Sequence, residues 1–495
     1  MFKKILVANR GEIARRIINT AREMEVATVA IYSEADREAL HVLKADQAVL
    51  IGNAEPSESY LNIEKIIAAA KDTGAEAIHP GYGFLAESPE FASCCEEECI
   101  VFIGPPSQVI RELGDKTIAR QTVSRSGIPI IPGMNRVESD PALLELEASR
   151  IGYPVLIKAA AGGGGKGMRV VGKPEDFHEA VLSASSEAKS AFGNGAIYLE
   201  KYLTQTRHVE FQVISDGFGN AIHLFERECS IQRRHQKIIE ETPSPAMTPQ
   251  LRERMGEAAV AVAKASRYVN AGTVEFLLDG ERNFYFLEVN TRLQVEHPIT
   301  EMTTGVDMVR LQLEIAAGER LRLQQKNMRQ RGHAIECRIY AEDPEKGFYP
   351  SPGKIVYMEE PTGAGIRNDS GIYAGYTVPV EYDPILSKLI VYAEDRGSAV
   401  ARMVRALKEY VILGIKTPIP FLIDVLQSTS FRAGKTYTDF IDTHFLNWQP
   451  ERKDGDLARI TFIIDEIARQ KRPPAATARE EGLSTPWQTL GNRWR

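Results

Sequence analysis

The chain has 495 residues, too many for a single hydrophobic core, so roughly two to four packed units are expected. With 43% apolar and 26% charged residues it reads as an ordinary globular protein, and 60 Lys plus Arg against 67 Asp plus Glu gives a net charge of −7. That balance supplies no cationic field for a nucleic-acid partner, and no apolar run approaches the roughly 20 residues needed to cross a bilayer. The opening M-F-K-K-I-L-V-A-N-R-G-E has too short an apolar core for a signal peptide and no small-residue cleavage site, so a cytoplasmic protein is expected. The five cysteines form no disulfide framework; Cys94, Cys95 and Cys99 lie in an acidic helical stretch without a fourth ligand and read as structural or inert thiols.

Taken in order, residues 1–115 alternate strand and helix signals. Apolar runs at 4–8, 26–32, 48–51, 77–78 and 101–103 predict five strands, the first followed by N-R-G-E and a helical I-A-R-R-I-I-N-T-A-R-E-M. This pattern predicts a doubly wound α/β unit with functional residues at strand C-termini. Its first turn lacks G-x-G-x-x-G, so a dinucleotide is not supported. G-D-K-T at 114–117 opens a helix, and the glycines and prolines of 127–133 break the chain into a new unit.

Strands are predicted at 154–160 and 168–171, with A-G-G-G-G-K-G between them. Strand, glycine loop, strand is not the strand, loop, helix of a P-loop, and Gly167 follows Lys166 where Ser or Thr is required. Backbone amides stripped of side chains still wrap an anion closely, and glycines suit a moving lid, so with Lys158 and Lys166 flanking it the loop reads as a phosphate binder. Further strands are predicted at 197–202 and 207–214. The basic stretch R-E-C-S-I-Q-R-R-H-Q-K at 227–237 is interleaved with Cys229 and Ile231, which points to partial burial beside a polyanion. Helices are predicted at 250–267 and 306–318. A third, β-rich module follows, with strands at 333–341, 354–358, 374–380 and 387–393 and a helix at 398–410. In the first of these Glu336, Arg338 and Tyr340 share a face. Beyond about 446 only 457–469 looks helical, and the tail reads as loosely ordered.

The stretch 273–300 carries the strongest chemical signal. Two apolar runs flank D-G-E-R-N, which predicts a β-hairpin in which Asp279 faces Phe284 and Glu275 faces Glu288. Carboxylates opposite one another in a sheet repel, and a divalent cation with oxygen ligands, Mg²⁺ or Mn²⁺, is the simplest compensation. Mg²⁺ bound by one or two carboxylates usually also takes substrate phosphates, which hints at a nucleotide. Glu288, Asn290 and Arg292 align by the two-residue period, and Gln294, Glu296 and His297 follow at once.

Together K-I-L-V-A-N-R-G-E-I-A, H-P-G-Y-G-F-L-A-E, G-D-K, K-A-A-A-G-G-G-G-K-G-M, E-C-S-I-Q-R-R-H-Q-K, F-L-E-V-N-T-R-L-Q-V-E-H-P-I-T-E, E-C-R-I-Y-A-E-D-P and Y-D-P-I-L-S-K-L make the chain resemble the biotin carboxylase component of biotin-dependent carboxylases, in the ATP-grasp superfamily, over roughly 1–446. The resemblance implies an α/β and α+β multidomain fold. Its parts would be a doubly wound pre-ATP-grasp domain at 1–115, an ATP-grasp domain at 116–330 with a mobile glycine-rich lid near 132–203, a β-rich C-terminal domain at 331–446 and a tail at 447–495. It implies that Glu275 and Glu288, with Asn290 close by, hold the metal ions. Lys116, Lys158, Gly163, Gly164, Gly165, Lys166, His208, Gln232 and His235 would contact ATP, and Glu200, Lys201 and Leu203 the adenine. Lys237, Arg292, Gln294 and Val295 would form the bicarbonate pocket, with Glu296 the general base, Arg338 against the biotin enolate and Tyr82 beside the biotin ring.

A carboxylate at Glu296 is further expected to lie beside Arg292, which would lower its pKa. The sequence has no A-M-K-M segment, so biotin is expected on a separate carrier protein, with the carboxyltransferase on another chain; relatives of this kind are commonly homodimers. The tail, and Pro418 in place of the usual asparagine, leave the carboxyl acceptor open among acetyl-CoA, another acyl-CoA, pyruvate and another 2-oxo acid. The alternatives are another ATP-grasp ligase, or a catalytically silent ATP-binding subunit.

Overall fold

The five apolar runs near the N-terminus become β1 (Lys4–Val7), β2 (Ala27–Ser33), β3 (Gln47–Gly52), β4 (Ala77–His79) and β5 (Val101–Phe102). The computed structural model describes residues 1–134, 137–159, 168–192, 195–234 and 236–451. The five strands pair in parallel in the order β3-β2-β1-β4-β5. Ile5 and Val7 pack with Ile13, Ala14 and Ile17 of the helix Gly11–Glu23, while Leu6 packs with Ile66, Ile67 and Ala70 of the helix Ile63–Thr73. Alternate residues of one strand therefore feed two cores, one on each face, and the sheet is doubly wound as predicted. Strand order reverses between β1 and β4, where such folds open a crevice at the strand C-termini. There Asn9 Nδ2 donates to the carbonyls of Pro80 at 2.7 Å and Tyr82 at 2.8 Å, tying N-R-G-E to H-P-G-Y. Gly81 has φ +64°, and a Cβ on it would lie 2.9 Å from that amide nitrogen, so the close approach needs glycine.

A small antiparallel sheet follows, built from β6 (Val155–Ala159), β7 (Arg169–Val171) and β8 (Ile197–Lys201) in the order β7-β6-β8. The remaining large strands are β9 (Arg207–Ser215), β10 (Ala221–Arg233), β11 (Gln236–Thr242), β12 (Asn270–Leu278), β13 (Phe284–Asn290), β14 (His333–Tyr340), β15 (Ile366–Ser370) and β16 (Ile385–Ala393). They form one antiparallel sheet in the order β13-β12-β9-β10-β11-β14-β16-β15. The sheet thus runs on through residue 330, where the sequence places the start of the β-rich module. The ladder crosses residue 330, with Ile239 opposite Cys337 and Glu240 opposite Glu336. Residues 354–358 touch two short strands, Gly353–Lys354 and Tyr357–Glu359, and residues 374–380 contribute one, Thr377–Val378, none longer than three residues. Much of the apolar filling there comes instead from the helices Arg396–Glu409 and Ile419–Gln427, the second of which the sequence pattern does not reveal.

A buried ion cluster pins this junction. Glu241 on β11 lies 2.8 Å from His333 Nε2 and accepts two hydrogen bonds from Arg396, at 2.6 and 3.0 Å. Burial works to raise its pKa, but His333 and Arg396 prevail and pull it from 4.5 to about 2. A depressed carboxyl pKa contributes stability that is fully present above about 4.5 and is lost as pH falls toward 2. Glu241→Gln is expected to destabilise the protein by about 3 kcal/mol at neutral pH and to flatten the acid limb of its unfolding curve. Urea melts between pH 7 and pH 3 check this, and a variant that follows the wild-type acid limb would refute the assignment.

No helix among the described residues is long and apolar enough to cross a membrane. All five cysteines are free thiols, and Cys94, Cys95 and Cys99 join no metal-ligating group among the described residues. The helix expected at 457–469 lies outside the described residues.

Candidate active site

The hairpin β12–β13 forms, with one correction to its register. Asp279 donates its amide to the Asn283 carbonyl at 2.9 Å, and its carboxylate accepts the amides of Glu281 and Asn283. The turn is thereby one residue tighter than predicted: Leu278, not Asp279, faces Phe284. Left uncorrected, that shift would put Leu287 opposite Glu275. An extra residue on β13, between Phe286 and Glu288, restores the offset, so Glu275 does face Glu288.

Glu275 is buried and surrounded by donors. Its Oε1 accepts from Asn290 Nδ2 at 2.7 Å, Lys237 Nζ at 2.8 Å and Gln294 Nε2 at 3.2 Å, and its Oε2 lies 2.9 Å from His208 Nε2. Burial alone would raise its pKa; Lys237 and His208 outweigh it and hold the carboxyl well below its ordinary range. Glu275 therefore offers a negative charge opposite Glu288 at neutral pH. The oxygen-rich pair suits a hard divalent cation, and His208, Glu210 and Glu275 bring ligand atoms within 4.8 Å of one another. Asn290 turns its NH₂ toward Glu275 and its carbonyl toward Arg292 Nη2 at 3.1 Å, so it acts on the acid pair by holding Glu275.

Lys237, on β11, is the hub. Its ammonium donates to Glu210 at 2.5 Å and to Glu275 and Glu296 at 2.8 Å each. Burial opposes this charge, but the three carboxylates raise the lysine pKa well above its ordinary value. Glu210 is in turn held by Arg227 Nε at 2.6 Å. On the far side, Arg338 Nη2 donates to Glu296 at 3.0 Å and Arg338 Nε to Glu240 at 2.6 Å. Glu296 is fully buried; burial raises its pKa, and Lys237 and Arg338 more than reverse this, keeping it ionised.

Arg292 lies close enough to Glu296 for their charges to attract, as expected, but its hydrogen bonds go elsewhere. The chain leaves β13 at Asn290, where the two-residue period stops applying. Arg292 instead donates to Glu87 at 3.0 Å and Gln294 Oε1 at 3.1 Å, bridging to H-P-G-Y-G-F-L-A-E. Val295 presents its carbonyl to Lys388, and Tyr82 donates its hydroxyl to Glu12.

At the small sheet, Lys158 and Arg120 both pair with the buried Glu200. Lys201 uses its amide on the Pro132 carbonyl at 2.7 Å and its ammonium on the carbonyls of Gly152 and Tyr153 at 2.9 Å each; Leu203 follows β8 and is half-buried. Gln232 is opposite Lys237 across the β10–β11 turn. Gly163, Gly164, Gly165, Lys166 and His235, and the side chain of Lys116, lie outside the described residues.

Sequence reasoning missed Glu210, Glu240, Glu87, Arg120, Glu12 and Lys388. Glu210, in V-E-F, breaks an apolar run just as Glu275 does, so the same signal would have found it. The others become visible only once distant strands meet.

Comparisons with known proteins give the family of the chain. The family model of the biotin carboxylase N-terminal domain matches residues 1–110, and that of the biotin carboxylase C-terminal domain matches 336–443. The carbamoyl-phosphate synthase L chain ATP-binding domain matches residues 115–324. A pyruvate carboxylase subunit from Methanothermobacter thermautotrophicus is 54% identical over 444 residues, 90% of each chain. Biotin carboxylase 1 of Bacillus subtilis is 51% identical over 445 residues, 90% of this chain and 99% of that one. The crystal structure of the biotin carboxylase domain dimer of Hydrogenobacter thermophilus 2-oxoglutarate carboxylase, in complex with MgADP, ADP and bicarbonate, matches with a TM-score of 0.88 at 49% identity, covering 91% of this chain and 100% of that one.

The doubly wound unit, the ATP-binding region with its acid pair and the C-terminal strands thus define a three-domain ATP-grasp ligase. The chain belongs to the biotin carboxylase family. Its reaction is the ATP- and bicarbonate-dependent carboxylation of biotin, the first half-reaction of a biotin-dependent carboxylase.

Proposed function

We propose that this chain is the cytoplasmic, homodimeric biotin carboxylase component of a carboxylase whose carrier protein and carboxyltransferase are separate chains, with domains at 1–115, 116–330 and 331–446. The observation that carries the assignment of roles is Lys237, one ammonium joining Glu210 and Glu275 on the nucleotide side to Glu296 on the other. Glu275 and Glu288 would hold Mg²⁺ or Mn²⁺, with Asn290 steadying Glu275; the ion supplies neutralisation of triphosphate oxygens. Lys116, Lys158, Lys166, His208, Gln232 and His235, with the amides of Gly163, Gly164 and Gly165, bind the nucleotide. The adenine lies against Glu200, Lys201 and Leu203. Because Lys158 and Arg120 already occupy the Glu200 carboxylate, that acid shapes the pocket through its ion pairs.

Bicarbonate sits among Lys237, Arg292, Gln294 and Val295. Glu296 takes its proton as a bicarbonate oxygen attacks the γ-phosphorus and ADP leaves, which forms carboxyphosphate. Carboxyphosphate then breaks its carbon–oxygen bond to give CO₂ and phosphate. The phosphate accepts the ureido N–H proton of biotin, whose oxygen becomes anionic beside Arg338 and whose nitrogen attacks CO₂. A planar guanidinium suits that oxygen, and Tyr82 walls the biotin site. Water would destroy carboxyphosphate, which gives the glycine-rich lid its purpose.

ATP hydrolysis by the purified protein should depend on bicarbonate and rise with free biotin. Hydrolysis indifferent to both would overturn the reading. Arg338→Gln is expected to remove the biotin response by about 10²-fold while bicarbonate-dependent hydrolysis persists. A variant that still carboxylates biotin at the wild-type rate would remove Arg338 from its role.

A further inference from the structure

Two motifs without an assigned role, N-R-G-E after β1 and Y-D-P-I-L-S-K-L leading into β16, meet behind the bicarbonate turn. Lys388 stands opposite Arg338 in the ladder between β14 and β16 and is fully buried. Its ammonium donates to the Val295 carbonyl at 2.8 Å, lies 3.4 Å from Glu12 Oε1 and sits 5.8 Å from the centre of the Tyr82 ring. Glu12, itself buried, also accepts the Tyr82 hydroxyl. Taking an ammonium out of water costs several kcal/mol unless its partners compensate, so a lysine buried this completely calls for a purpose.

The neighbouring carbonyl is pinned as well. His297 Nδ1 lies 2.7 Å from the Gln294 carbonyl, and since a carbonyl only accepts, the imidazole carries its proton on Nδ1. Burial, reinforced by Lys388, keeps that ring neutral. In a planar trans peptide the C=O and the following N–H point in opposite directions. Fixing the Gln294 carbonyl on His297 therefore aims the Val295 amide away from that ring, and fixing the Val295 carbonyl on Lys388 aims the Glu296 amide away from that ammonium. It also sets the backbone from which the Glu296 carboxylate projects.

We propose that Lys388, seated on Glu12, is a positioning residue that orients the Gln294–Val295–Glu296 turn for bicarbonate and ties that turn to the Tyr82 wall of the biotin site. This rests on the reading that the turn binds bicarbonate. Lys388 touches no reacting atom; it acts through the Val295 carbonyl.

Lys388→Met alone would leave Glu12 as a buried, uncompensated acid and so risks misfolding. The test is therefore K388M/E12Q compared with E12Q, following bicarbonate-dependent ATP hydrolysis, thermal unfolding and nucleotide affinity in the full-length protein. The double variant is expected to raise KM for bicarbonate by about tenfold or more over E12Q, the size of a lost charge-assisted hydrogen bond, with KM for ATP unchanged. A bicarbonate KM within about twofold of E12Q, or a parallel rise in both KM values, overturns the positioning role. Wild-type hydrolysis that ignores bicarbonate would overturn the underlying reading together with this one, so the two failures are told apart.

Discussion

Glu296→Gln is expected to lower bicarbonate-dependent ATP hydrolysis and biotin carboxylation by about 10²- to 10⁴-fold, while nucleotide affinity stays within about threefold of wild type. The amide keeps the shape of the carboxylate, but its single oxygen accepts from only one of Lys237 and Arg338, which bond to different oxygens of Glu296, so the variant loses one of these hydrogen bonds together with the proton acceptor. Burial pushes Glu296 toward the neutral acid, and two cations 2.8 and 3.0 Å away keep it ionised. Such a carboxylate is a weak base. Its usefulness comes from being fixed and unprotonated where bicarbonate arrives, with the proton moving as the new oxygen–phosphorus bond forms. Steady-state rates at saturating ATP and bicarbonate, with separate titration of nucleotide binding, decide the matter. Wild-type turnover in the variant would show that the proton goes elsewhere.

Glu288→Lys is expected to weaken binding of Mg-ATP by about a hundredfold or more, because the acid proposed to hold the metal is replaced by a cation facing Glu275. The lysine would form an ion pair with Glu275 across the strands, so the hairpin should stay folded and the loss should be confined to nucleotide and metal. Titration with ATP in the presence of Mg²⁺, and again with Mn²⁺, reads the effect directly. Unchanged affinity with either ion would mean that the facing acids are not where the metal binds.

Much of this site is legible in the amino-acid order because its chemistry clusters in short motifs. Glu275, Glu288, Asn290, Gln294 and Glu296 all come from one hairpin and the turn after it, and the two-residue period of strands places the first acids opposite each other. Period counting cannot see an inserted residue, so it makes the turn one residue too long and passes over the bulge before Glu288. The two errors cancel at the acid pair. Arg292 is legible as a charge near Glu296 but not in its hydrogen bonds: it lies just past the strand, where a side chain answers to tertiary partners such as Glu87. The doubly wound sheet is legible because each strand is a short apolar run followed by helix signals. The single ladder crossing residue 330 is not, since pairing between β11 and β14 depends on contacts that local pattern does not encode. Lys388 and Glu12 are hidden for the same reason: Lys388 is a lone charge in an apolar stretch, Glu12 sits among the arginines of N-R-G-E-I-A-R-R, and each finds its partner at the opposite end of the chain.

The shared ladder has a mechanical meaning. Lys237 stands on β11 and Arg338 on the hydrogen-bonded neighbour β14, so the group that binds the nucleotide-side acids and the group assigned to biotin are bolted to one plate. Neither can be brought to the other by a hinge between them. The distance over which a short-lived intermediate must travel is therefore set when the polypeptide folds, and any opening and shutting that turnover demands must happen in parts of the molecule that this plate does not include.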